Sequence, residues 1–210
     1  MKRLAVVTAA LLGLAASVPA APAAADTIHV GDLVQFNNPP GSTGTLGGGA
    51  FTLADSTTGD LFLTFCVQTS QHISYNTTYR VGGITTFADD VAGNDPIGDN
   101  TAWIYSSFRR GLLGAYTGNE IQSAIWYFEQ ESNNDYDSNA VALRALANAA
   151  VANGYTNDGV RVLNLFTLDG GLAQDNLTYT PTPEPTSLVL LATGLLGWEA
   201  ARRLRARRAR

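Results

Sequence analysis

Near residue 99 the apolar residues of this chain change their spacing from every second position to every third or fourth, and that switch limits the folds open to it. Ahead of it lie short runs with strand character: 29–37 (HVGDLVQFN), 49–55, 61–69 and 79–88, separated by Gly, Asn, Pro and Ser clusters. Beyond it the pattern is helical. A helix over 101–113 is expected after Asp99-Asn100, and one over 120–131 carries the stripe Ile121, Ala124, Ile125, Phe128. An alanine-rich helix over 139–152 opens after Asp137-Ser138 and stops at Asn153-Gly154. A last strand, 160–168 (VRVLNLFTL), is expected to rejoin the sheet. Strands first and helices after predict an α+β fold: a single domain with an antiparallel, β-rich N-terminal half, about three helices and a final strand.

The two ends lie outside that pattern. Residues 1–25 read as a secretory signal peptide, with Lys2 and Arg3 before the apolar run from Leu4 to Val18 and Ala23-Ala24-Ala25 as the small-residue cleavage site. The mature chain is therefore expected to begin near Asp26. At the other end, over 181–210, the proline-rich Pro181-Thr182-Pro183-Glu184-Pro185 precedes an apolar stretch, SLVLLATGLLGW, and a tail with six arginines. The apolar stretch is shorter than the roughly 20 residues of an ordinary membrane-spanning helix, and the basic tail would stay cytoplasmic. Spacer, short apolar segment and basic tail in this order resemble the PEP-CTERM sorting signal, with Pro183, Glu184 and Pro185 as its tripeptide. The resemblance implies recognition by exosortase, a membrane protease. It also implies export by a bacterium that makes extracellular polysaccharide, with transient anchoring in the inner membrane through the C-terminal helix.

Between these ends, residues 26–180 form the expected globular exported domain. Five arginines and no lysine face sixteen carboxylates there, a net charge of −11. Such a surface repels nucleic acid and anionic lipid, so neither is an expected ligand of the domain.

Cysteine occurs once, as Cys66. Exported chains meet oxidising conditions and usually carry cysteines in pairs, so a solitary one is either buried or does chemistry. Within 61–69, Leu61, Leu63, Phe65 and Val67 alternate with Phe62, Thr64, Cys66 and Gln68. The first set makes a fully apolar face and Cys66 lies on the more mixed one, which speaks against a core position for the thiol.

Phe65-Cys66-Val67 in a strand, and Ile121-Gln122-Ser123-Ala124-Ile125-Trp126 at the start of a helix, together resemble the thioester domains of bacterial surface adhesins. The resemblance implies an internal thioester between Cys66 and Gln122, formed with loss of ammonia, that an amine or hydroxyl on a target surface then attacks. The missing lysine fits such an electrophile, which the protein's own ε-amino groups would otherwise consume.

Other readings of the same residues stand beside this one. Gln122 lies three residues after Asn119, where a glutamine closes a capping box, and Cys66 would then be a small, semi-buried hydrophobe. Cysteine catalysis needs a histidine base, and the chain holds only His29 and His72. The acidic segment 89–99 (DDVAGNDPIGD) has calcium-type oxygens without the EF-hand spacing, and reads as a solvated loop ahead of a helix. Glycine-rich 41–49 lacks the lysine of a phosphate loop. No enzymatic activity, cofactor or metal is expected. The expected function is that of an exported surface or extracellular-matrix protein. It would attach covalently through Cys66 and Gln122, or else serve as a non-covalent structural component of the exopolysaccharide matrix.

Overall fold

A computed structural model describes residues 24–37, 49–90, 93–132, 137–180 and 198. Eight strands and three helices follow one another along these residues. They are β1 (Leu33–Asn37), β2 (Phe51–Asp55), β3 (Leu61–Thr64), β4 (Thr78–Thr85), β5 (Phe87–Asp90) and β6 (Gly93–Pro96), then α1 (Asp99–Arg109), α2 (Gly118–Phe128) and α3 (Ser138–Ala152), then β7 (Val160–Thr167) and β8 (Leu172–Tyr179). Six strands form one antiparallel sheet in the order β3-β2-β1-β4-β7-β8, and β5 and β6 form a separate hairpin. The fold is α+β in one domain, as the change of periodicity predicts.

The sheet has apolar residues on both faces. Val160 and Val162 of β7 and Leu177 and Tyr179 of β8 pack under the three helices with Ile104, Ile121, Ile125 and Leu143. The opposite face gathers Val34, Phe36, Phe51, Leu53, Phe62, Tyr79, Val81, Leu163 and Leu165, joined by Cys66 and by Trp126 from α2. Burying this much apolar surface on two sides of one sheet is what a chain of domain length needs to offset its conformational entropy.

Several local readings are corrected by the tertiary structure. The segment 89–99 is no open acidic loop: most of it is the β5–β6 hairpin and the start of α1. Strand β8 has no counterpart in the sequence reading, because its buried residues include Gln174, Asp175, Asn176 and Thr178. The face of 61–69 expected to be core is split: Leu61 and Leu63 are exposed, whereas Phe65 and Val67 are buried. Their fates differ because β3 ends at Thr64 and the chain then runs on to the other edge of the sheet. The signal peptide, the glycine-rich segment up to residue 48, and the sorting signal with Pro183, Glu184 and Pro185 lie outside the described residues. Among the described residues no helix is long and apolar enough to cross a membrane.

Candidate functional site

Cys66 stands where the two edges of the six-stranded sheet meet. It forms an isolated antiparallel bridge with Asn176 of β8. The flanking hydrogen bonds are Val67 N–H to Asp175 O and Leu177 N–H to Phe65 O, both 3.0 Å. That pattern makes Cys66 and Asn176 a non-hydrogen-bonded pair, the kind with the closest side chains, and both side chains project from the same face of the sheet. It also turns the N–H and C=O of Cys66 away from β8, so both need a partner elsewhere.

Gln122 is that partner. Cys66 N–H donates to Gln122 Oε1 at 3.0 Å, and Gln122 Nε2 donates back to Cys66 O at 2.8 Å. The side-chain amide occupies the place of a further strand. Gln122 is wholly buried, and its Oε1 also accepts the N–H of Gly49 at 3.4 Å. Gly49 is brought there by a close packing of α2: a Cβ on Gly118, the first residue of that helix, would lie 2.9 Å from Ala50 N. Any larger residue at 118 would push the helix away from the Gly49-Ala50 backbone.

The capping-box role considered for Gln122 with Asn119 is overturned. Helix α2 starts earlier, with Thr117 as N-cap, and the box is Thr117–Glu120: Thr117 N–H donates to Glu120 Oε2 at 2.6 Å and Glu120 N–H to Thr117 Oγ1 at 3.3 Å. Glu120 Oε1 further accepts Asn139 Nδ2 at 2.6 Å, tying the start of α3 to the start of α2. The cap is therefore complete without Gln122, which is left free to reach Cys66. The expectation that Cys66 lies away from the core is corrected too, since the residue is 1% exposed. Its face of the strand is the one that closes the sheet.

Burial pushes the Cys66 thiol well above its ordinary pKa and keeps it protonated. The half-exposed Tyr75, whose ring packs on Phe51 at 6.1 Å, is raised first by desolvation and then by the proximity of Cys66. His29 and His72 are both exposed, in contrast to the buried thiol. The surroundings of Cys66 also contain buried polar atoms without hydrogen-bond partners among the described residues: Asn176 Oδ1, Gln68 Oε1, Gln71 Oε1 and Trp126 Nε1. Asn176 Nδ2 donates to Gln174 O at 2.8 Å, so its amide is half satisfied. The Nε2 atoms of Gln68 and Gln71 both donate to Asp89 O, at 2.9 and 2.7 Å, which draws the hairpin onto this end of the sheet.

A second buried polar group begins one residue away. Asp175 accepts Leu165 N–H on Oδ1 at 2.9 Å, and Asp89 N–H and Asn164 Nδ2 on Oδ2 at 2.7 and 2.9 Å. Desolvation outweighs these bonds and raises its carboxyl to about 7. Glu129, after α2, accepts Thr101 Oγ1 and Gly98 N–H and is likewise raised to about 7 by burial. Among the described residues no group of three or more His, Cys, Asp or Glu side chains is gathered in a way that could hold a metal ion.

Of the residues singled out from the sequence, the fold brings together Cys66 and Gln122. It adds two that were not foreseen: Gly49, at the end of the glycine-rich segment 41–49, and Asn176, which lies beyond the last strand expected from the sequence. Nothing local in the sequence marks either, because each acts through a neighbour supplied by another strand or helix.

Residues 181–208 match the PEP-CTERM protein-sorting motif. This match marks an exported protein with a C-terminal sorting signal of the kind recognised by exosortase, a membrane protease. No curated protein matches the chain, and no solved structure matches it.

Proposed function

We propose that this exosortase-sorted protein attaches covalently to an extracellular target through an internal thioester between Cys66 Sγ and Gln122 Cδ. The observation that carries the reading is the double hydrogen bond between the Gln122 amide and the Cys66 backbone. It holds the amide beside the residue that bears the only thiol of the chain. Attack of Sγ on Cδ would place negative charge on Oε1, where the N–H groups of Cys66 and Gly49 already point. Two preorganised backbone donors on a developing oxyanion are a known source of acyl-transfer rate. The Sγ–Cδ bond forms as the Cδ–Nε2 bond breaks, and the thiol proton leaves with the amide nitrogen as ammonia. A surface amine or hydroxyl then takes the acyl group and frees the thiol. The bond is consumed once, so the protein acts as an adhesin and not as an enzyme.

A second reading rests on the same contact. The raised thiol pKa and the two hydrogen bonds of the Gln122 amide to Cys66 also suit a polar staple that closes the sheet, in a non-covalent component of an extracellular polysaccharide matrix. Intact mass separates the two. The covalent reading expects a chain one ammonia lighter than its sequence, restored to full mass in Cys66→Ala and Gln122→Ala. A wild-type chain of full mass with an alkylatable thiol after denaturation would leave the staple.

A further inference from the structure

We propose that the β5–β6 hairpin is a latch governed by pH, closed over Asp175 and Glu129 in acid and released as the surroundings approach neutrality. The inference does not depend on whether Cys66 and Gln122 form a thioester.

The hairpin stands outside the six-stranded sheet, and little apolar surface holds it in place. Among the described residues of β5 and β6 only Ala88 is buried. Polar contacts hold the element instead, and two of them are backbone N–H groups given to buried carboxylates. Asp89 N–H, within β5, donates to Asp175 Oδ2 at 2.7 Å. Gly98 N–H, two residues past β6, donates to Glu129 Oε1 at 3.5 Å, and Thr101 at the start of α1 donates to the same oxygen. Side-chain amides complete the attachment: Asn164 Nδ2 donates to Phe87 O at 3.0 Å, and Gln68 and Gln71 both donate to Asp89 O.

Asp175 is 1% exposed and Glu129 6% exposed, and neither has an ion pair among the described residues. The charges facing them are unfavourable as well. Asp89 of β5 acts on Asp175; Asp95 of β6 and Glu131, after α2, act on Glu129, and Asp90 acts on Asp95. On the other elements packed nearby, the carboxylate of Asp99 in α1 is turned to Asn157 N–H, and Arg144 of α3 lies over the Tyr127 ring. His72, whose carbonyl meets Gln174 of β8, is exposed, and the Cys66 thiol stays protonated.

A carboxylate buried in such a setting escapes the cost of its charge in two ways. It takes a proton, or the element over it moves off and admits water. Under the closed hairpin both groups titrate at about 7, against ordinary values of 3.8 and 4.5 once water reaches them. Between those limits the closed form binds more protons than the open one, so closure weakens as pH rises through the window. The hairpin is the element that yields, because little apolar burial is lost when it leaves.

The test is hydrogen exchange on the exported protein, read residue by residue by NMR at pH 5 and pH 8. Rates are expressed as protection, which removes the intrinsic pH dependence of exchange. Asp89 and Gly98 N–H are expected to lose protection by at least about tenfold at pH 8, the equivalent of one unit of pKa difference. At that pH both should also be at least about tenfold less protected than Cys66 N–H, which Gln122 holds. Asp175→Asn and Glu129→Gln should each cut the pH change at least about threefold, and the double variant should abolish it. Unchanged protection of Asp89 and Gly98 between the two pH values in the wild type would overturn the latch even if no variant folds. Equal protection of all three amides at pH 8 would overturn it too, since the hairpin would then open only with the whole domain. So would a pH change of wild-type size in both single variants.

Discussion

Asp175 and Asn176 are consecutive residues of one strand, both buried, and they head two polar clusters built on opposite plans. Every oxygen of Asp175 is used: Oδ1 by the backbone of Leu165, Oδ2 by Asp89 and Asn164, so β7, β8 and the β5–β6 hairpin are held by one carboxylate. Asn176 uses its donor and leaves its acceptor open beside Cys66. The first plan is structural and titrates near neutrality; the second is neutral and incomplete. A buried group whose bonds are all made holds the fold, and one with a bond unmade is where a further role is to be sought.

The comparison can be broken most sharply at Gln122. Gln122→Ala strands the N–H and C=O of Cys66 in a dry interior, and the expected loss is about 4 kcal/mol in urea unfolding, from two unsatisfied backbone groups and the lost packing. A loss below about 1 kcal/mol would mean that water or another group reaches Cys66, and would remove the staple from both readings of the site. Asp175→Asn comes next, at about 3 kcal/mol, because an amide offers one acceptor atom where the carboxylate offers two. Hydrogen exchange at Asp89 N–H should accelerate in that variant while exchange at Cys66 N–H stays slow. Equal acceleration at both would show one cluster, not two.

The pH dependence sharpens the same contrast. Asp175 and Glu129 titrate in the folded protein at about 7, above ordinary values of 3.8 and 4.5. Between those limits the native state binds more protons than the unfolded chain, so stability falls as pH rises through that window. The melting temperature should drop from pH 5 to pH 8, and Asp175→Asn or Glu129→Gln should each flatten the slope; a rise over this interval would contradict the burial of both groups. At the Cys66 cluster, by contrast, Asn176→Leu should change stability by less than about 1 kcal/mol, since it removes an unpaired acceptor while freeing the Gln174 carbonyl. The smallest effect is expected at Leu61, which is 66% exposed: Leu61→Ser should cost under about 0.5 kcal/mol. A larger cost would reinstate the apolar face read from the sequence.

That face shows why some of the molecule was legible and some was not. Helix α3 was read to within a residue because its signals are local: Asp137 accepts the N–H groups of Asn139 and Ala140, and Gly154 follows in a left-handed conformation with φ of 94°. The start of α2 was equally readable, as Thr117-x-x-Glu120, but the competing spacing from Asn119 to Gln122 hid it. Strand β8 was missed for the opposite reason. A run of Gln, Asp, Asn and Thr looks like a loop until a bulge, a carboxylate network and a closing strand satisfy it from outside.

By itself the sequence determined the class of fold, the bounds of the alanine-rich helix, the acidic and lysine-free domain, the solitary thiol and the Pro183-Glu184-Pro185 motif, all of which depend on residues close together in the chain. It also named Cys66 and Gln122 as a pair, through motif resemblance. Only the tertiary structure decided that they meet, and how. The sheet curls until the chain just past β3 meets β8 at Cys66 and Asn176, which turns the N–H and C=O of Cys66 outward and leaves them to be met by a side chain 56 residues away. No local pattern encodes that meeting, because the polar atoms concerned acquire or lack partners only when distant segments are packed together.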